Sequence, residues 1–154
     1  MNLSKHFTLA EMTKSQTATR MGIDNTPGDG DITALSFLCN TVLEGVRKNF
    51  GIPFSPTSGY RSPELNKAIG GSSKSQHCLG QAADIEVPGV SNLDLATYIS
   101  NNLKFDQLIL EYYDGTPTSG WVHVSLVGDY QYTFSEENRL QVMTYDGSTY
   151  RTGI

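Results

Sequence analysis

The sequence predicts an α+β fold in which helices pack on a small central antiparallel sheet. Three observations carry that reading. Ile32, Leu35, Leu38, Cys39, Val42, Leu43 and Val46 recur at helical spacing, and Gly51 ends the run. Phe105 to Glu111 is strongly apolar, and Trp121 to Val127 alternates, so both read as strands. Between them, Tyr112 to Gly120 contains Asp114-Gly115 and Pro117, which is turn chemistry that closes an antiparallel hairpin. No linker interrupts the 154 residues, and residues 1–154 are expected to form a single domain.

The remaining elements follow from local signals. Thr8-Leu9-Ala10-Glu11 fits a capping box, which predicts a short helix. Thr17 to Gly30 is rich in Thr, Gly, Asn and Pro and reads as an ordered loop, with Asp31 capping the long helix. Pro53 and Pro56 break an extended piece from Ile52 to Ser58. Ser62 caps a helix with Pro63 in its first turn, and Gly70-Gly71 stops it. Ser72 to Gly80 is a loop without periodicity. Ala82 to Val87 is a strand, and a helix starts at Ser91 to Asp94 and runs to about Asn102. Gln141 to Tyr145 and Thr149 to Thr152, around Asp146-Gly147, form a final hairpin.

Composition narrows the function. The formal net charge is -5 and the basic residues are scattered, which argues against a nucleic-acid partner. Two cysteines make no disulfide framework. Met1 to Thr8 lacks an apolar signal region, and no window is apolar enough to span a bilayer. The expectation is a monomer without a membrane partner, which stays in the cytoplasm unless another system releases it. Histidine is confined to His6, His77 and His123, so few residues compete as ligands.

The segment Ser75-Gln76-His77-Cys78-Leu79-Gly80-Gln81-Ala82-Ala83-Asp84 places an imidazole in a loop and a carboxylate on the strand that follows. Both are competent zinc ligands. Alternation along Trp121-Val122-His123-Val124-Ser125 puts Trp121, His123 and Ser125 on one strand face. If that face looks at Asp84, two histidines and a carboxylate converge and leave a coordination position open. That is a catalytic rather than a structural zinc arrangement. The spacing alone is only moderately specific.

The wider string, Ser-x-His-x-x-Gly-x-Ala-x-Asp followed by Trp-x-His, resembles the zinc D-Ala-D-Ala carboxypeptidases, peptidase family M15. Ser58-Gly59-Tyr60-Arg61-Ser62 is similar to that family's upstream signature, and Phe7-Thr8-Leu9-Ala10-Glu11-Met12 to the start of its phage-associated members. The resemblance runs from about Ser4 to Val127. It implies the fold shared with hedgehog signalling domains, zinc as cofactor, and bacterial cell-wall peptide as substrate. It also implies His77, Asp84 and His123 as metal ligands. In several relatives a general base stands three residues before the last histidine. Here that position is Gly120, so Glu111 is the best substitute, with Asp114 and Asp106 as weaker rivals. Arg61 would hold a substrate carboxylate or polarise the scissile carbonyl, or it is a surface arginine after a turn. Ser75 and Trp121 are expected to contact substrate, although Ser75 could equally only order its loop, and Gln76 is open to either reading. His6 is expected at the surface, Cys78 to pack, Tyr112 and Tyr113 to serve as core or rim, and Ser125 to take no part in a triad. The implied activity is hydrolysis of stem peptides or cross-links by a carboxypeptidase, dipeptidase or endopeptidase, released in phage lysis or carried on the virion. The alternative is a non-catalytic, zinc-stabilised binding domain of the same fold. A base within reach of the open metal position separates the two.

Overall fold

In the computed structural model, residues 1–128 and 133–154 are described. The chain opens with α1 (Leu9–Thr13) and α2 (Gln16–Met21). Thr8 and Glu11 form the expected capping box on α1. Helix α2 lies where a loop was expected. It is held by its caps instead of an apolar stripe: the Ser15 hydroxyl accepts from the Ala18 N–H, and Gly22 ends it at φ 66°.

The long helix consists of α3 (Asp29–Leu38), a π turn (Cys39–Leu43) and α4 (Glu44–Phe50). Asp31 is not its cap residue. It sits in the first turn, and its carboxylate accepts from the Gly28 N–H at 3.1 Å. The π turn keeps Cys39, Val42 and Leu43 together on the buried side. Gly51 closes the helix in a left-handed conformation. Next, α5 (Pro63–Ala68) is capped by Ser62. A 3₁₀ turn (Gln76–Leu79) interrupts the expected loop and leads into β1 (Ala82–Ile85). Then come α6 (Asn92–Asn102), β2 (Gln107–Glu111), β3 (Trp121–Ser125), β4 (Gln141–Tyr145) and β5 (Tyr150–Thr152).

The α+β class is as expected, but the sheet is mixed and not wholly antiparallel. Its order is β1-β3-β2-β4-β5. The β2–β3 and β4–β5 hairpins and the β1–β3 pair are antiparallel, whereas β4 runs parallel to β2. The reason lies at the start of β2. Arg139 binds Asp106, and the Gln141 N–H donates to the Asp106 carbonyl at 2.9 Å. Strand β4 therefore enters beside the first residue of β2 and must run with it.

Strand alternation gives the sheet two different faces. Ala83, Ile85, Leu108, Leu110, Val122 and Val124 are buried in one core with residues of the long helix and α6, and α6 packs across β2 and β3. Each fully buried Leu or Ile contributes about 1.5–3 kcal/mol, so this face supplies much of the stability. The opposite face is left for chemistry. Register places Asp84 beside His123, His123 beside Ile109, and Glu111 opposite Trp121. Among the described residues, no helix is long and apolar enough to cross a membrane.

The hairpin before Trp121 is fixed from both sides. The buried Asn92 amide donates to the carbonyls of Ser119 and Gly120 at 3.2 and 2.9 Å. Gly120 itself sits at φ 67°, and a Cβ there would collide with the Glu111 carbonyl. Gly120→Ala should therefore destabilise the protein by about 2 kcal/mol or more. Urea unfolding would measure this, and an unchanged midpoint would show that the hairpin relaxes freely.

Candidate metal centre

Asp84 is the middle of the site. Its Oδ1 lies 3.3 Å from His77 Nε2 and 3.0 Å from His123 Nδ1. The three ligand atoms lie within 4.8 Å of one another. An ion with bonds of about 2.0–2.2 Å in tetrahedral geometry separates its ligand atoms by about 3.3–3.6 Å, so this donor set fits such an ion with small adjustments. His77 is 2% exposed and Asp84 is 9% exposed. Burial pushes the Asp84 carboxyl up, but hydrogen bonds from His123 and His77 outweigh it and hold the group well below the usual carboxylate range. Asp84 is thus ready to ligate as an anion.

The local sequence explains how these side chains meet. The Ser75 hydroxyl accepts from the His77 N–H and caps the 3₁₀ turn, and Gly80 ends the turn at φ 70°. A side chain at Gly80 would run into the Asp31 backbone. The His77 Nδ1–H donates to the Gly59 carbonyl at 2.7 Å, which leaves Nε2 facing Asp84. Gly59 in turn packs so closely on the Met12 carbonyl that no Cβ fits. The Asp84 N–H donates to the Ser58 carbonyl at 2.8 Å, and the Arg61 N–H donates to the His77 carbonyl at 3.1 Å. The Ser58-Gly59-Tyr60-Arg61 strap therefore fastens the histidine turn to β1.

Arg61 is not a surface side chain: it is 15% exposed. Its Nε donates to Ser58 Oγ and one terminal nitrogen donates to Asn66 Oδ1, each at 3.1 Å. The other terminal nitrogen lies 3.6 Å from Asp84 Oδ2. Glu111 and His123 together border two clefts of about 440 and 290 Å³. The larger also takes in Arg61, His77, Asp84, Tyr112, Trp121, Tyr145 and Tyr150. The smaller takes in Ser72, Lys74, Ser75, Gln76, Gln107 and Arg139. Burial raises the Glu111 pKa, and the charge of Asp84 adds to that, while His123 opposes it. That retains basicity beside the histidines.

The profile of the family described as Peptidase M15 matches residues 5–125. The chain belongs to this peptidase family. No curated protein matches it significantly. The M15 segment ends with the last residue of β3, so the residues of β4 and β5 that border the larger cleft lie outside the match.

The other candidates fall outside the cluster of this M15 peptidase. Asp114 is exposed, and its carboxylate accepts from the Thr116 N–H at 2.8 Å within its own turn. Asp106 is buried and held by Arg139 and Gln76, so its carboxylate is occupied. The Gln76 amide serves that contact. The Ser125 hydroxyl accepts from the Gln107 N–H at 3.1 Å and has no histidine partner. His6 pairs with Glu44 at 2.6 Å, far along the long helix. Cys78 lines a separate hollow beside Pro63 and Lys67, and burial pushes its thiol up. Cys39 is fully buried, with its thiol pushed up to about 12 by burial. Tyr113 packs against the core.

Sequence reasoning missed Asn66 and the Asp106–Arg139 pair. Asn66 holds Arg61, and its Nδ2 also donates to the Ser72 carbonyl at 2.7 Å. Neither feature has a motif, because each forms only when distant segments fold together. Asp106 accepts from the Arg139 backbone N–H at 2.8 Å, from its side chain at 3.0 and 2.8 Å, and from Gln76 at 2.9 Å. Burial raises its pKa, but these bonds dominate and lower it. A depressed carboxyl pKa contributes stability above the unfolded value, near 3.9, and loses it as pH falls through the folded value. Arg139→Ala should cost about 2 kcal/mol at neutral pH, because it leaves a buried carboxylate under-paired beside a half-exposed cation site. The gap to wild type should narrow below about pH 4 as Asp106 protonates. Urea melts across pH would check this, and a constant gap would exclude the ion pair as the cause.

Proposed function

We propose that this chain is a zinc-dependent peptidase that cuts internal peptide bonds of bacterial cell-wall peptide. The observation that carries the reading is the position of Glu111. It borders the His77–Asp84–His123 cluster and a groove that extends to both sides of it. A base there favours an enzyme over a zinc-stabilised binding domain.

His77, Asp84 and His123 would hold the zinc, with the His77 ring fixed through Gly59. Zinc held there supplies Lewis acidity, which polarises the scissile carbonyl and makes water nucleophilic near neutral pH. Glu111 takes the proton from the attacking water and passes it to the leaving amine nitrogen. Arg61 keeps Asp84 in place through its 3.6 Å contact, and its remaining N–H groups offer a donor to the carbonyl oxygen or to a substrate carboxylate. Ser75 borders the smaller cleft and Trp121 the larger, and each would contact one part of the peptide. Two clefts that adjoin at Glu111 and His123 leave room for a chain that continues beyond the scissile bond, which favours endopeptidase over carboxypeptidase action.

The purified protein should contain one zinc per chain by elemental analysis, and His77→Ala should lose it. Glu111→Gln keeps the shape of the side chain but cannot accept a proton. It should fold, retain zinc and lose about 10²–10⁴ of its turnover on wall peptide. Arg61→Ala, assayed with saturating zinc, should lose about 100-fold. Mass spectrometry of wall fragments would identify the bond cut. Substantial hydrolysis by Glu111→Gln would move the base to another group, and Asp114→Asn would then be the variant to assay.

A further inference from the structure

Four aromatic side chains lead away from the metal centre in a row. Trp121 stacks on Tyr112, with ring centroids 5.0 Å apart and planes at 27°. Tyr112 meets Tyr145 edge-on at 5.2 Å. Tyr145 stacks on Tyr150 at 4.3 Å. All four border the cleft that holds the ligand cluster. Tyr112 and Tyr150 are each 51% exposed.

Sheet stability explains part of the row. Tyr145 and Tyr150 are directly opposed across the β4–β5 hairpin, a favourable cross-strand pair. It does not explain Tyr112. That residue lies just past the end of β2 at φ 52°, a conformation that a bulky side chain seldom adopts. Such strain collects at ligand-binding positions. The turn at Gly147 packs beside the Tyr112 ring, where a Cβ would make ordinary van der Waals contact at 3.4 Å. The hairpin thus bends Tyr112 into the row and leaves half of it in water.

We infer that this row is a sugar-binding subsite, which stacks the pyranose rings of the glycan to which the cleaved peptide is attached. The inference rests on the wall-peptide reading above. A pyranose has a flat C–H face and a rim of hydroxyls. The row offers aromatic faces and three phenol hydroxyls, the pairing of apolar body and polar tip that suits such a ligand. An apolar peptide side chain would instead call for an enclosed pocket. Nucleic acid fits poorly. Arg61 is the cation that borders this cleft among the described residues, and it is tied to Ser58, Asn66 and Asp84. With a net charge of -5, the chain offers little to neutralise phosphates.

Trp121 is the chain's single tryptophan, so its fluorescence reports directly on the row. The zinc-loaded full chain should show a saturable change on titration with N-acetylglucosamine oligosaccharides. Tyr150→Ala should weaken that response about tenfold. Tyr112→Asn should do the same while keeping the fold, because Asn tolerates the left-handed backbone. Tyr150→Ala should also raise KM for glycan-linked peptide more than for sugar-free peptide. Absence of a sugar response in the wild type overturns the inference. So does an equal rise in KM for both substrates, which would make the row a peptide subsite. Sugar binding without hydrolysis would sink the peptidase reading alone, and hydrolysis without sugar binding would sink this inference alone.

Discussion

The buried carboxylate of Asp84 is the constraint around which the rest is arranged. An isolated carboxylate at 9% exposure would be strongly unfavourable. It is compensated by two imidazoles on Oδ1 and one guanidinium on Oδ2. His77 lies seven residues before it, whereas Arg61 and His123 are distant in sequence. Each must be delivered by a separate element: His77 by a 3₁₀ turn, His123 by β3, and Arg61 by the strap from Ser58. The backbone of the strap bonds to both Asp84 and His77. The fold therefore fixes the position of the carboxylate through its own contacts, which would limit the reorganisation that binding a cation requires.

The two faces of the sheet divide the work. One carries small and branched apolar residues into the core, and the other carries Asp84, His123, Glu111 and aromatic rings. A register slip of one residue would exchange the faces and place Asp84 and His123 in the core. The apolar alternation of Val122, Val124, Leu108 and Leu110 thus fixes the register of the metal site as well as the packing. The groove inherits its asymmetry from the same sheet. On one side of Glu111 it is polar, with Lys74, Ser75 and Arg139. On the other it is aromatic, built partly from β4 and β5 beyond the matched family segment.

Much of this was legible in the sequence because the signals are local. Ser62-Pro63, Thr8 with Glu11, and the Asp114-Gly115 turn each specify their structure within a few residues. The motif residues His77, Asp84 and His123 lie close together, as the strand alternation anticipated. Helix α2 was not legible, since its six residues are stabilised by Ser15 and Gly22 and carry no periodicity. The parallel placement of β4 was not legible either. It depends on Arg139 reaching Asp106, a contact across 33 positions. The role of Asn66 is hidden for the same reason: an amide on a short helix gives no sign of the arginine it holds.

The absent carboxylate at Gly120 and the presence of Glu111 are one structural fact. The tight β2–β3 closure presses the Glu111 carbonyl against position 120 and forces that residue to φ 67°. No carboxylate-bearing side chain fits a backbone in that state without moving the hairpin. The same closure sets Glu111 opposite Trp121, two positions from His123 along β3. Directly opposed residues lie about 4.5–5.5 Å apart, so the side chain of Glu111 enters the groove from the neighbouring strand. A glycine that excludes a carboxylate from one strand thereby leaves the place open to one from the other. The hairpin must stay closed for Glu111 to stay in place, which is why the buried Asn92 amide, bonded to the Ser119 and Gly120 carbonyls, belongs to the architecture of the site although it borders none of its clefts.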